Sequence, residues 1–242
     1  MLKSLATEIE DGWTALSHRN HPEHTTGTQM RRKIYQVTDK ALIKEVLDST
    51  LWGTLALVDG GRPYQTPLNF AYIQSGRSRG EVMFHCSLKG RRMGIVRAGQ
   101  DDGDGSPGVH AHFSVVEELS LIPSHFTSED YACNLNQYYI SLFMEGRLSE
   151  VTDPEEKAAN LNILVRKHQP EGRYREITLD DPDYRKKVRG TGMLRLQVEK
   201  LSAKFHLSQE LKGAALKNMT EALRKRGTPL DKRTLAWIER LG

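Results

Sequence analysis

The residues with the clearest chemical potential lie in one segment, Phe84–Arg92, whose sequence is FHCSLKGRR. His85 ends an apolar stretch, and Gly90 lets a backbone approach a ligand closely. Three cations lie within four residues: Lys89, Arg91 and Arg92. Guanidinium groups suit the oxygens of a phosphate. Residue chemistry alone leaves two interpretations open, a solvated basic turn or a site for a phosphorylated small molecule.

The adjacency of His85 and Cys86 argues against two other chemistries. Neighbouring residues of a strand point to opposite faces, so the pair cannot easily share a metal ion or form a Cys–His nucleophile. Cys86 is predicted to be a packed thiol, and histidine titrates near neutral pH, so His85 remains a candidate proton donor. No metal site is predicted, although other histidines are closely spaced, namely His18, His21, His24, His110 and His112.

Short strands separated by turns must position this segment. Strands are predicted over residues 54–58, 63–73, 81–87, 108–116, 137–148 and 193–207. Helices are predicted after Asp39, from Pro154 to His168, over 211–225 and over 231–241. Six strands joined mostly by short turns favour an antiparallel barrel or sandwich over a doubly wound sheet.

Length and composition limit the class of protein. The 242 residues fit a short amphipathic helix and polar linker over 1–30, followed by one folded domain over 31–242. A net charge of +4 is a mild basic excess, which makes nucleic acid an improbable partner. No run reaches the about 20 apolar residues of a membrane span, and no leader pattern is present, so a cytoplasmic protein without a membrane partner is expected. Neither a Rossmann nor a P-loop glycine motif occurs.

Several motifs, taken in order, resemble those of a known family. Trp52–Ala56 reads WGTLA, Pro67–Tyr72 reads PLNFAY, and Phe84–Arg92 follows. This set resembles the pyridoxamine 5′-phosphate oxidase-like FMN-binding flavoproteins, nearest the nitroimidazole-resistance (Nim) branch. Tyr139–Arg147 and Val151–Lys157 are also similar to that branch. The arginine–histidine pattern by which the oxidases themselves bind substrate is not found near the C-terminus, so vitamin B6 oxidation is not expected.

The resemblance implies a mainly β fold with peripheral helices, a six-stranded antiparallel split β-barrel that forms a homodimer with FMN in the dimer grooves. It implies an oxidoreductase that reduces a small substrate such as a nitroaromatic compound, with His85 as the catalytic residue. Tyr139 and Ser141 would reach the groove partly from the other subunit. The cofactor-binding residues that it implies are Asn69, Phe70, Ala71, Tyr72, His85, Cys86, Lys89, Arg91, Arg92, Tyr139 and Ser141.

Alternatives remain for both cofactor and activity. The deazaflavin F420 could replace FMN. The segment Lys204–Gln209, KFHLSQ, resembles the ending of an FMN-binding regulator group, which is compatible with a non-catalytic protein that binds flavin or haem. A split barrel that holds no cofactor is the third interpretation.

Overall fold

The computed structural model describes residues 30–74, 79–99, 108–127 and 131–241. The chain divides into two units, Met1–Arg31 and Arg32–Gly242, and the description below concerns the second. The helix and polar linker predicted for residues 1–30 lie outside the described residues, apart from Met30.

One antiparallel sheet forms the centre of the described structure. Within the described ranges its eight strands are β1 (Gln36–Val37), β2 (Trp52–Asp59), β3 (Arg62–Asn69), β4 (Ala71–Ile73), β5 (Glu81–Ser87), β6 (Val109–Ile122), β7 (Asn136–Glu150) and β8 (Thr191–His206). Their spatial order is β3-β2-β6-β7-β8-β5-β4, and β1 pairs with β8. Because β3 also contacts β5, the sheet curls back on itself. The predicted mainly β, antiparallel architecture is confirmed.

The predicted number of six strands is wrong, for two physical reasons. β1 has only two residues, too few for an alternating pattern to be visible. The predicted strand 63–73 is in fact two strands, which pair at opposite ends of the sheet order. Phe70 is the residue between them, fully buried, with its ring 5.0 Å from that of Phe113. The chain therefore crosses from one end of the sheet to the other at Phe70.

Six helices surround the sheet within the described ranges, namely α1 (Lys40–Ser49), α2 (Arg91–Ala98), α3 (Pro154–His168), α4 (Pro182–Gly190), α5 (Gly213–Arg226) and α6 (Pro229–Leu241). The predicted starts of α1 and α3 are confirmed, since Asp39 and Asp153 accept backbone N–H groups of the first turns. The helices α2 and α4 were not predicted, because each buries too few apolar side chains to produce a periodic pattern. None of the described helices has both the length and the apolar character needed to cross a membrane.

Close packing fixes the strands behind the candidate site. The barrel interior is filled by fully buried side chains that include Leu55, Phe84, Phe113 and Phe205. A Cβ at Gly53 would lie 2.1 Å from the Phe113 ring, so only glycine lets β2 pass this ring without displacement. The Phe113 ring also packs 4.9 Å from that of Phe84, the residue that precedes His85. The position of His85 is thereby tied to the core.

Candidate functional site

Asn69 and His85 lie together where the curled sheet closes, Asn69 at the end of β3 and His85 near the end of β5. Two cavities, each of about 290 Å³, share these two residues. We name the first the basic compartment; it is lined by Trp52, Pro67, Leu68, Asn69, His85, Cys86, Ser87 and Arg92. We name the second the apolar compartment; it is lined by Asn69, His85, Leu161, Leu164, Val165 and His168.

The loop between β5 and α2 offers donors to an anion. Gly90 is the N-cap of α2 and contributes no side-chain hydrogen bond to the first turn. Ser87 holds the turn, because its carbonyl accepts the Gly90 N–H at 3.1 Å and its Oγ accepts the Lys89 N–H at 3.2 Å. A helix N-terminus without a side-chain cap leaves backbone N–H groups that favour negative charge. The exposed Lys89 side chain adds a cation to this loop.

The two neighbouring arginines have different partners. Arg91 donates through Nε to Asp59 Oδ2 at 2.7 Å, and its guanidinium lies 4.8 Å from the centre of the Tyr64 ring. Arg92 lines the basic compartment and has neutral neighbours instead, donating to Thr66 Oγ1 at 3.3 Å and lying beside the Cys86 thiol. The structure therefore brings Arg92 to His85 and Asn69, and it holds Arg91 on a carboxylate away from both compartments.

Asn69 is anchored so that one side of its amide remains available. Its Nδ2 donates to the carbonyl of Leu51 at 3.2 Å. No hydrogen bond to Oδ1 is present in the described part of the chain, so this oxygen is an acceptor for a ligand. His85 is exposed on the neighbouring strand, whereas the adjacent Cys86 is buried. The predicted alternation of these two side chains is confirmed.

Three predicted cofactor residues turn their side chains away from open solvent. Phe70 and Ala71 are buried in the interior, so only their main chains can border a ligand. Cys86 lies at the wall of the basic compartment with its side chain largely buried. Burial raises the pKa of this thiol, and the positive charge of Arg92 offsets only part of that effect. This environment matches the predicted packed thiol.

Tyr72 lies in a different cavity from His85. It lines a groove of about 700 Å³ between β1, β4 and β8, together with Thr38, Arg79 and Glu199. Its hydroxyl donates to the Arg79 carbonyl at 2.8 Å, and burial raises its pKa. The structure thus separates Tyr72 from Asn69, although the two lie on consecutive strands.

Tyr139 and Ser141 lie three strands away from Asn69 in the order of the sheet. Asn69 pairs with Trp52 on β2, and Ser141 pairs with Val116 on β6. The order β3-β2-β6-β7 places three strand spacings, about 14 Å, between the strand of Asn69 and that of Ser141. Tyr139 accepts a hydrogen bond from Lys204 Nζ at 2.5 Å. Neither residue lines the basic or the apolar compartment, so the described chain does not bring them to His85.

The α3 helix supplies site residues that the sequence analysis did not identify. The sequence predicted a helix from Pro154 to His168, but nothing in the pattern indicated which strands Leu161, Leu164, Val165 and His168 would face. His168 Nε2 lies 3.2 Å from the Phe70 carbonyl oxygen. Burial lowers the pKa of His168, and the charges of Lys167 and His85 lower it further, while the hydrogen bond to Phe70 opposes them.

Lys167 is also on α3 but serves the fold. Its Nζ donates to the Leu47 carbonyl at 2.7 Å, near the end of α1, and lies 3.4 Å from the centre of the Phe70 ring. Burial lowers its pKa to about 8. Lys167 thus ties α1 and α3 to the crossing residue between β3 and β4, which holds the apolar compartment in place.

Solved structures with similar folds support the architecture. The FAD and heme binding protein from Mycobacterium smegmatis is 21% identical, with a TM-score of 0.53 over 77% of this chain and 80% of that chain. The flavocytochrome Anf3 from Azotobacter vinelandii is 20% identical, with a TM-score of 0.55 over 74% and 72%. A candidate 5-nitroimidazole antibiotic resistance protein from Bacteroides thetaiotaomicron is 18% identical, with a TM-score of 0.53 over 70% and 85%. At these identities the likeness concerns the fold, and the predicted split-barrel class is confirmed.

Comparison at the level of sequence assigns the family. No curated protein matches the chain. A sequence model of the family described as pyridoxamine 5′-phosphate oxidase matches residues 39–205, which run from the N-cap of α1 to the penultimate residue of β8. This range contains the sheet from β2 onward, the basic loop and α3. The chain therefore belongs to the pyridoxamine 5′-phosphate oxidase family.

Proposed function

We propose that this protein is an FMN-dependent oxidoreductase that reduces a small compound such as a nitroaromatic. One observation carries the proposal. Asn69 and His85 lie between a compartment that contains Arg92 and a compartment walled by aliphatic side chains of α3. FMN has a phosphate at one end, which matches the basic compartment, and a flat heteroaromatic ring at the other, which would lie at Asn69 and His85 and leave the apolar compartment to the substrate.

The phosphate end of FMN suits the basic compartment. Arg92 has no carboxylate partner among the described residues, and the N-terminus of α2 directly precedes it. Lys89 is exposed on the same loop. A guanidinium, an ammonium group and uncapped backbone N–H groups are the donors that phosphate oxygens prefer. We therefore assign Lys89 and Arg92 to phosphate binding. Arg91, which is paired with Asp59, would contribute less to it.

The ring end of FMN suits the residues at the closure point. Asn69 Oδ1 would accept a hydrogen bond from a ring N–H, and the main chain from Asn69 to Ala71 would lie along the ring edge. When bound, the flavin would supply the electron transfer, and the protein would bind and orient it. His85 is exposed beside Asn69, where its imidazole could carry a proton to a reduced substrate. The aliphatic wall of α3 would exclude water from that substrate.

The outer face of the sheet supports the proposal of a homodimer. Trp52, Val116 and Phe143 are 58%, 58% and 50% exposed on neighbouring strands. Large apolar side chains that share one face mark an interaction surface. The compartments, at about 290 Å³ each, are also small beside the roughly 300–1,000 Å³ of ligand sites. A second copy on this face would complete the walls and would bring Tyr139 and Ser141 of the partner subunit towards Asn69.

Placing a charge on this face is expected to dissociate the dimer. We expect wild-type protein to sediment at twice the mass of one chain and Phe143→Lys to sediment as a monomer with weakened FMN binding, because a buried unpaired ammonium is costly. The matched control is Ile34→Lys, which alters an exposed aliphatic side chain outside the sheet. A monomeric wild-type protein, or a Phe143→Lys variant that remains dimeric, would contradict the proposed interface.

Flavin titration of the purified chain tests the proposed function. We expect FMN to bind in one equivalent per chain with quenched fluorescence. We also expect the loaded protein to consume NADH or NADPH when 4-nitroimidazole is added. FAD and F420 are titrated in parallel, because the phosphate site alone does not distinguish the flavins. The proposal fails if no flavin binds, and a flavin that binds without turnover reduces the assignment to a flavin-binding protein.

A second candidate function is a non-catalytic protein that binds flavin or haem. His85 and His168 both border the apolar compartment, and imidazole is a common axial ligand of haem iron. Two of the similar structures are described as an FAD and heme binding protein and as a flavocytochrome. Titration with haemin decides this candidate. A Soret band that His85→Ala abolishes would support haem binding, and an unchanged haemin spectrum would exclude haem as the ligand.

A further inference from the structure

His168 is the polar residue on the α3 side of the apolar compartment. Four of the six side chains that line this compartment come from α3. Besides His168 they are all aliphatic, namely Leu161, Leu164 and Val165. The remaining polar groups, Asn69 and His85, come from the strands. A small molecule placed against the flavin site would therefore meet one imidazole from the helix within an otherwise aliphatic wall.

The hydrogen bond to Phe70 fixes which nitrogen of His168 carries the hydrogen. A backbone carbonyl can only accept, so Nε2, at 3.2 Å from the Phe70 oxygen, is the N–H donor. In the neutral ring Nδ1 then bears a lone pair, and no described residue donates to it. Burial, together with the nearby charges of Lys167 and His85, lowers the pKa of His168, so the neutral form dominates at neutral pH.

The acceptor is held in place by the core. Phe70 is fully buried between β3 and β4, so the carbonyl that orients the ring belongs to rigid main chain. Lys167, the neighbouring cation, donates to the Leu47 carbonyl, and no hydrogen bond from it to His168 is present among the described residues. His168 lines the aliphatic cavity, and an acceptor that its ring offers there would discriminate strongly, because a ligand without a donor would leave that acceptor unsatisfied.

We infer that His168 is a specificity-determining residue, which selects a small flat substrate that carries an N–H or O–H donor over its alkylated analogue. The inference rests on the proposed function, because it names the substrate class of the same site. His168 positions this donor through Nδ1, and the aliphatic side chains of α3 contact the ring. His85, on the strand side, is left free for proton transfer.

A matched pair of ligands tests the inference. 4-Nitroimidazole carries an N–H group, and 1-methyl-4-nitroimidazole replaces that hydrogen with a methyl group. We expect calorimetry to show that wild-type protein prefers the first by about tenfold. His168→Phe keeps a flat ring of similar size without an acceptor and is expected to reduce the preference to about onefold. His125→Phe, a change of an exposed histidine outside both compartments, should leave the preference intact.

A conservative variant separates recognition from folding. Glutamine at position 168 can donate to the Phe70 carbonyl through its amide nitrogen and offer its oxygen as acceptor, so His168→Gln should retain most of the preference. A wild-type protein that does not distinguish the two compounds, or a His168→Phe variant that distinguishes them as well as wild type, would overturn the inference.

The same titrations are run with and without FMN. If FMN does not bind but the preference and its dependence on His168 persist, the proposed function is refuted and the role of His168 stands. Normal FMN binding with no preference would remove only the role of His168.

Discussion

Replacement of Arg92 with alanine is expected to weaken FMN binding about 10- to 100-fold, whereas the same replacement at Arg91 should weaken it less than about threefold. The expectation follows from the different partners of the two guanidinium groups. Arg92 lines the compartment of His85 and contacts neutral groups, so its charge is available to a phosphate. Arg91 is bonded to Asp59 and stacked on Tyr64, so its charge is already matched.

The measurement is a fluorescence titration of the two variants at the same ionic strength, since salt screens exposed charges. Arg92→Lys serves as a control that keeps the charge but loses the paired donors, and its affinity should lie between those of wild type and Arg92→Ala. Riboflavin, which is FMN without its phosphate, should bind equally to all variants. Equal losses of FMN affinity for Arg91→Ala and Arg92→Ala would show that the loop attracts the phosphate only through its total positive charge. That result would refute the assignment of Arg92 to the phosphate.

Local signals in the sequence were sufficient for much of the framework. The caps at Asp39 and Asp153, the turn at Gly60 and Gly61, and the alternation of buried and exposed side chains at the end of β5 are each encoded within a few neighbouring residues. The opposite orientation of His85 and Cys86 follows from strand geometry alone. For this reason the sequence could identify the loop that carries Arg92 and the histidine beside it.

The rest of the site depends on contacts between residues far apart in the chain. The break at Phe70 is invisible because an apolar residue fits an alternating strand equally well. The placement of His168 against the Phe70 carbonyl joins residues 98 positions apart. The separation of Arg91 from Arg92 requires Asp59, which lies on β2. Periodicity reports which face of an element is apolar, but it does not report which partner covers that face.

The C-terminal helices illustrate the same limit of periodicity. A buried carboxylate, which no sequence pattern reveals, joins them to the barrel. Asp231, at the start of α6, is completely buried. Its oxygens accept from the Arg226 Nη2 at 2.6 Å, from the Ser120 Oγ at 2.6 Å and from the Thr228 N–H at 3.0 Å. Arg226 also donates to the Leu121 carbonyl, so a single network joins α5, α6 and β6. Nothing in the sequence distinguishes this aspartate from an exposed residue of a first helical turn.

Asp231→Ala is therefore expected to lower the free energy of unfolding by about 3–5 kcal/mol, because it leaves the Arg226 guanidinium without its buried partner. Urea denaturation at neutral pH measures the change. Asp183→Ala is the matched control, since Asp183 lies in the first turn of α4 with its side chain 84% exposed, and it should change stability by less than about 0.5 kcal/mol.

The pH dependence of stability provides an independent test of the same network. The hydrogen bonds from Arg226, Ser120 and Thr228 hold the pKa of Asp231 well below its usual range, outweighing its burial. A carboxyl group whose pKa is depressed in the folded state contributes stability above its unfolded pKa, about 4, and loses it as the pH falls through the folded value. The stability difference between wild type and Asp231→Asn should thus be constant from pH 7 to about 5 and shrink below about 4. A difference that stays constant down to pH 2 would show that Asp231 is not held as the anion that joins these helices to the barrel.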